Sequence, residues 1–416
     1  MRGLTRTGRR FLTNRGVRAV PRPSYNRAMM QLRPALHTSP VQEILARLDE
    51  LASIFRDSGA EGDRLARLPK YIVRALVQHG LFRLWIPKRC AGFELDLPEA
   101  LQIYEAAARL DGSIGWAVMI GSGGGLFAAH LDASTASSIY ARPEAVVAGS
   151  GAPDGRAQRE RGGYRVSGCW HYASGAHYAT AFTANCLVMD GGALVYGPDG
   201  KPLVRAMAFE PAQVAILPVW DPTGMRGTGS DDFEVRDAFV PENRSFSVFT
   251  DAPREQGPLY RVPFNVLTEL PVTAVALGIA RHALDAFASV AHVKKVPGEG
   301  ALLMSDPVVQ VTFGAAHAAW QLAKALLDSL AHKAWDAARA SRALSPADLA
   351  EITGGCVLSV AKLRRAVGEL LALAGMTAIQ PESELARAWR DLQALAAHGS
   401  ISPRHLGATG AALLQE

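Results

Sequence analysis

Three short stretches carry side chains that could do chemistry. In "RDLQALAAHGSISP" (390–403) a histidine, His398, stands directly before Gly399 and Ser400. Imidazole titrates near pH 6.5, so a histidine there can take or give a proton at neutral pH. The glycine alone accounts for the end of a helix, and the histidine is not needed for that. A competing reading makes His398 a surface cation that offsets the helix dipole. In "GCWHYASGAHYA" (168–179) the hydroxyl of Ser174 and the turn residue Gly175 follow Trp170 and Tyr172. In "GMRGTGSDDFEV" (224–235) Thr228 and Ser230 sit two residues apart among glycines. Hydroxyls in such turns can hold a ligand or simply face solvent. Trp170 can line a ligand or fill a core. His177 reads as a core histidine with its own partner.

Other chemistries lack their residues. "GSGGG" (121–125) has neither a P-loop lysine nor the dinucleotide spacing, and no strand precedes it, so close helix packing or a wall against a bound ring explains it better. No nucleophile elbow of the GxSxG kind is present. Cys90, Cys169, Cys186 and Cys356 form no CxxC pair, which argues against zinc and for reduced thiols. The formal charge of +5 is local in origin, because residues 1–42 hold nine arginines and no acid. Without them 35 basic side chains face 39 acidic ones, a balance of −4. That excludes nucleic-acid binding by charge. The acid-free leader has the composition of a mitochondrial presequence, or is an unstructured extension ahead of a later start at Met29 or Met30. No uninterrupted apolar run reaches 18 residues, so no membrane span is expected.

The elements that must position these residues follow from periodicity. Ile44, Leu48, Leu51 and Ile54 form an amphipathic stripe, and Ile72, Val73, Leu76 and His79 form a second one ending at Gly80. Helices are expected over 97–110 and 114–130. From 145 to 248 the pattern changes to short runs rich in Val, Tyr, Phe and Thr, separated by Gly, Pro and Asp. These predict a β-barrel or small sandwich of about 100 residues. Beyond 263 long helical stripes return, with Asp306-Pro307 and Ser345-Pro346 as helix starts. Three or four long helices with short loops predict a bundle. The expected divisions are a basic leader (1–42), an N-terminal helical domain (43–140), a middle β domain (141–255) and a C-terminal helical bundle (256–416).

This α+β order resembles the acyl-CoA dehydrogenase fold, with an N-terminal helical domain, a middle β-barrel and a C-terminal four-helix bundle. The resemblance covers nearly all of 43–416 and is carried by "GCWHYASGAHYA", by "GMRGTGSDDFEV" with "VPENR", and by "ARAWRDLQALAAHGSISP". In the dehydrogenases the tail after Arg-Asp carries a Glu-Gly-Thr whose carboxylate is the base. Here Arg390-Asp391 is followed at matching distance by His398-Gly399-Ser400. In that respect the sequence is more similar to the two-component flavin-dependent monooxygenases on the same fold.

The resemblance implies an oxygenase component that hydroxylates an aromatic or related small molecule. It would use reduced flavin (FMN or FAD) and O2 through a C4a-hydroperoxide. The implied catalytic residues are His398 and Ser174. The implied flavin contacts are Trp170, Tyr172, Ser174, Gly175, Thr228 and Ser230, and no metal is implied. A flavin reductase would be the partner and a homotetramer the assembly. The expected location is cytoplasmic in a bacterium, or the mitochondrial matrix if the leader is a presequence. An imidazole suits a phenolic proton at neutral pH better than a carboxylate with a pKa of about 4.3. The alternative is an FAD-dependent acyl-CoA dehydrogenase with a displaced base such as Glu382 or Glu384. A non-catalytic binding homologue is a third reading, opposed by the joint presence of "YASG" and "AAHGS". Some phenol hydroxylases carry a histidine shortly after Ser-x-x-Trp. "SIGWAVMIGSGGG" (113–125) has glycine there, which implies a site opened for a bulkier ring.

Overall fold

The computed structural model describes residues 39–415 apart from Pro297, Glu299 and Pro381. The basic leader expected over 1–42 lies outside the described residues up to position 38. Its last residues already belong to the first helix, where Ser39 caps the chain by accepting from the Gln42 amide.

Six helices come first: α1 (Pro40–Glu50), α2 (Ala52–Leu65), α3 (Lys70–Gln78), α4 (Leu97–Leu110), α5 (Gly112–Gly123) and α6 (Ala133–Tyr140). Asp96 and Glu99 form a capping box at the start of α4. Asp111 caps α5 by accepting from the Ile114 amide at 3.1 Å. The helix expected to run from 114 to 130 stops at Gly123 and continues as a tighter 3-10 turn, Gly124–His130. A run of three glycines does not hold α-helical geometry.

The middle of the chain supplies β1 (Val147–Glu160), β2 (Gly163–Ala173), β3 (Ala181–Asp190), β4 (Ala193–Leu194), β5 (Val204–Phe209), β6 (Ala215–Leu217), β7 (Asp231–Pro241) and β8 (Ser245–Phe246). They form one mixed sheet in the order β6-β7-β2-β1-β3-β5-β8, with β4 paired to β3. Only β1 and β3 run parallel among these pairs. Among the described residues the path does not close on itself, so the expected barrel is corrected to an open sheet with β6 and β8 at its ends. Alternating polar and apolar runs show how each strand is buried, and carry no signal for closure.

Five helices complete the chain: α7 (Val266–Val293), α8 (Pro307–Arg339), α9 (Pro346–Ala374), α10 (Glu384–Leu395) and α11 (His405–Leu413). Asp306 and Ser345 cap α8 and α9, each with proline at the first helical position. One apolar core joins α4 and α5 to α7, α9 and α10, while the sheet has its own around Trp170, Phe182, Phe209 and Phe233. The segments Gly112–His130 and Val266–Val293 are apolar enough to cross a membrane by length and composition, but 83% and 72% of them is buried against the rest of the protein. They are core helices of this fold.

Candidate active site

The site is built where the start of α5, the end of β2, the turn before β7 and the end of α10 meet. The register of β2 on β7 shifts once between Val166 and Gly168 and again between Trp170↔Phe233 and Ala173↔Asp231. The second shift releases His171 and Tyr172 from the ladder, and the strand ends at Ala173. Tyr172 turns to a left-handed φ of 67° and stands 70% exposed, edge-on to Trp220 at 6.1 Å. Gly175, at φ 80°, completes the turn, and its amide donates to the Thr228 carbonyl at 3.0 Å.

Ser174 lies at the centre. Its Oγ accepts from Trp116 Nε1 at 2.9 Å and lies 2.7 Å from Ser230 Oγ. Ser230 Oγ is 2.6 Å from Thr228 Oγ1, and Thr228 Oγ1 donates to the Met225 carbonyl at 2.8 Å. Thr228 and Ser230 are buried, so neither faces solvent as a turn residue would. Trp116 also meets His398, the two rings lying edge to face at 5.3 Å between centroids. One indole thus joins two of the residues singled out from the sequence, Ser174 and His398, which are 224 positions apart.

His398 is the N-cap of the 3-10 turn Gly399–Ile401. Its Nδ1 accepts from the Ser400 amide at 3.3 Å and lies 2.8 Å from Ser400 Oγ. An amide can only donate, so in the neutral ring Nδ1 is bare and Nε2 carries the proton. The side chain keeps exposed surface, yet protein crowds it enough for desolvation to lower its pKa below the usual 6.5. Exposure combined with crowding is what a ring lining a concavity shows. A lowered pKa favours the neutral ring, which speaks against the competing reading of a dipole-compensating cation.

Beneath the site a charged cluster ties the turn 224–230 to α10. Asp391, 2% exposed, accepts from the Met225 amide at 2.5 Å. Burial, with the charge of Asp111 added, pushes its carboxyl up to about 7. Arg387 Nε lies 3.5 Å from Asp111 Oδ2, and its buried Nη2 has no partner among the described residues. Arg390 reaches Asp63 at 2.7 Å.

Trp170 is a correction. It is 0% exposed, stacks on Phe233 at 5.2 Å and donates to the Asn185 carbonyl at 2.9 Å. It lies between the two register shifts of β2, still paired with Phe233, and its ring falls inside the sheet core, where it cannot lie along a ligand. His177 has its expected partner, Asp231 Oδ2 at 2.6 Å, but it lies at the surface and not in the core. Sequence reasoning missed Trp116, Asp391 and Ser400 as site residues, although Trp116 was in plain view in the Ser-x-x-Trp of "SIGW".

One side of the site is open. Tyr172 is an exposed aromatic, and Ser174 keeps 9% of its surface. Gly123 lies two helical turns beyond Trp116 on the same face of α5. A methyl placed on Gly123 would meet nothing within 4 Å.

Comparison with known proteins places this arrangement in a family. Residues 270–403 match the family described as "Acyl-CoA dehydrogenase, C-terminal domain", and residues 49–135 match its N-terminal domain. The indole-3-acetate monooxygenase of Pseudomonas putida is 30% identical over 84% of this chain and 88% of its own length. The flavin-dependent monooxygenase oxygenase subunit HsaA of Mycobacterium tuberculosis is 28% identical over 87% and 92%. The solved structure of XiaF from Streptomyces sp. in complex with FADH2 and glycerol superposes with a TM-score of 0.83 at 26% identity, covering 90% of this chain and 96% of that one. The chain belongs to the flavin-dependent monooxygenases of the acyl-CoA dehydrogenase fold, as an oxygenase component that works with reduced flavin. Such a component implies a separate flavin reductase and a small-molecule substrate. The acyl-CoA dehydrogenase alternative is not favoured. Glu384 opens α10, about 18 Å along that helix from the end that leads to His398, and faces His282 at 3.8 Å instead.

Proposed function

We propose that the protein hydroxylates an aromatic small molecule in the space between His398, Trp116 and Gly123, with Ser174 against the flavin. The observation that carries this reading is the indole of Trp116, which donates to Ser174 and also packs edge to face with His398. The bound reduced flavin supplies the activation of O2. The protein's own residues orient and exclude. Tyr172, Ser174, Gly175, Thr228 and Ser230 form the flavin side, and Trp170 supports them from inside the sheet.

His398 manages the proton of the substrate's polar group. Neutral at pH 7, it offers Nε2–H to a substrate oxygen. A proton taken up at Nδ1 is then held by Ser400 Oγ, 2.8 Å away. This differs from a simple base at Nε2, because the Ser400 cap fixes the other tautomer. Relatives named for indole-3-acetate and resorcinol support an aromatic ring as substrate. The open space at Gly123 supports one larger than a single phenol.

A tetramer built as a dimer of dimers is part of the same proposal. Val308, Val311 and Leu322 on α8 are 62%, 73% and 71% exposed, an apolar stripe of the kind two-fold interfaces cover.

The test is the coupling ratio, product formed per reduced flavin consumed, in wild type and His398→Ala with an aromatic substrate. His398→Ala should leave folding nearly intact and lower product formation by on the order of 10²-fold, with H2O2 formed instead. Unchanged coupling would remove His398 from the reaction.

A further inference from the structure

The hydroxyls around Ser174 form a run whose proton direction is fixed. At one end Trp116 Nε1 donates to Ser174 at 2.9 Å, and at the other Thr228 Oγ1 donates to the Met225 carbonyl at 2.8 Å. An indole nitrogen can only donate, a carbonyl can only accept, and each hydroxyl has one proton to give. The proton of Thr228 is committed to Met225, so Thr228 must accept from Ser230. The proton of Ser230 is then committed, so Ser230 must accept from Ser174. Ser174 therefore points its proton inward and has one lone pair occupied by Trp116. What it has left is one lone pair. Ser174 keeps 9% of its surface, against 3% for Ser230 and 2% for Thr228, so it is the open end of the run.

A flavin changes its hydrogen-bonding character at N5 with redox state. The oxidised ring has a bare N5 that can only accept. Two-electron reduction places a hydrogen there, and N5 becomes a donor. We propose that this run of hydroxyls is a redox-state filter: Ser174 accepts from the N5–H of reduced flavin and opposes its lone pair to that of the oxidised ring. The filter favours binding of the reduced cofactor and release of the spent one. It rests on the reading that Ser174 faces the flavin. Trp116, Ser230 and Thr228 act through Ser174 as positioning residues, and none of them has to touch the ring.

The filter has a finite strength. Reversing the run would cost the Thr228 hydroxyl bond to Met225, whose carbonyl would keep the Thr228 amide at 3.1 Å. One such bond corresponds to about fivefold in an equilibrium.

The experiment measures the dissociation constants of FMN and FAD, oxidised and anaerobically reduced, for the intact protein. Wild type should bind the reduced form more tightly. Thr228→Val removes the inward acceptor, so Ser230 can donate to Ser174 and the Ser174 proton can turn outward. The ratio of oxidised to reduced constants should fall about fivefold to tenfold, the larger change equal to ~30 mV in the potential of the bound two-electron couple. Ser230→Ala frees the same proton by another route and should lower the ratio equally, which covers a Thr228→Val that folds poorly. Thr228→Ser should keep the wild-type ratio, which a merely structural role for the threonine methyl would not. Ser174→Ala separates the two layers of the argument. If it changes neither constant, Ser174 does not face the flavin and the site reading fails. If it changes them while Thr228→Val and Ser230→Ala retain the wild-type ratio, the site reading stands and the filter is overturned.

Discussion

Gly224 is where the turn that carries Thr228 and Ser230 rests directly on α10. A methyl added at Gly224 would run into the Arg390 carbonyl and stand 2.7 Å from the Asp391 nitrogen. Ordinary contact begins near 3.4 Å, so the turn must retreat by roughly 0.7 Å from α10, and by more at the carbonyl. That alone would stretch the bond from the Met225 amide to Asp391 from 2.5 Å to about 3.2 Å, the outer edge of a hydrogen bond. The displacement is passed on to the hydroxyls of Thr228, Ser230 and Ser174. A misplacement of about 1 Å in a catalytic arrangement can cost on the order of 10²-fold. Gly224→Ala should therefore reduce product formation by roughly 10- to 100-fold. It should destabilise the protein by about 2 kcal/mol through strain and the weakened buried bond. The assay pairs coupling with a thermal melt and flavin titration on the same preparation. Wild-type coupling in a folded Gly224→Ala protein would refute the idea that α10 positions the turn.

Three further outcomes are expected. The neutral His398 ring, with its pKa held below 6.5, should keep coupling level at pH 6.5 and let it fall only in more acidic buffer, and His398→Ala should lack that acid limb. A pH profile of coupling in both proteins decides this, and a wild-type limb above pH 6.5 would contradict it. Gly123→Leu should leave the melting temperature near wild type while excluding larger rings first, because the side chain enters open space; equal loss for small and large substrates in a specificity panel would count against it. Asp391 binds a proton in the folded protein up to about pH 7 that the unfolded chain loses near pH 3.9, so its contribution to stability falls as pH rises through that window. Asp391→Asn keeps an acceptor for the Met225 amide without the titration, and its melting temperature should fall less between pH 5 and pH 8. Parallel curves would show that Asp391 does not titrate there.

Much of this was legible in the sequence, for reasons that differ by element. The stripe of Ile44, Leu48 and Leu51 and the Asp-Pro and Ser-Pro starts of α8 and α9 are local signals, and the helices follow them. His398 stood out because ending the helix does not need it, whereas Ser174, in an ordinary Ser-Gly turn, was singled out only through the family resemblance. Trp170 misled because a tryptophan beside a bulge looks the same in sequence whether it faces in or out. Only the register break after Trp170↔Phe233 separates it from Tyr172. Trp116 was overlooked because its importance lies in two contacts with segments far along the chain. Closure of the sheet was not legible either, since pairing at its ends depends on where β6 and β8 lie in space.

The span of those contacts bears on how the protein comes to be active at all. Trp116 and His398 are 282 residues apart, and the hydroxyls of Ser174 and Ser230 come from between them. Contacts so distant in sequence are slow to close and form late in folding. A chain emerging from the ribosome can complete its sheet and most of its helices before the segment that carries His398 is available. Until then the edge-to-face contact between Trp116 and His398 cannot form.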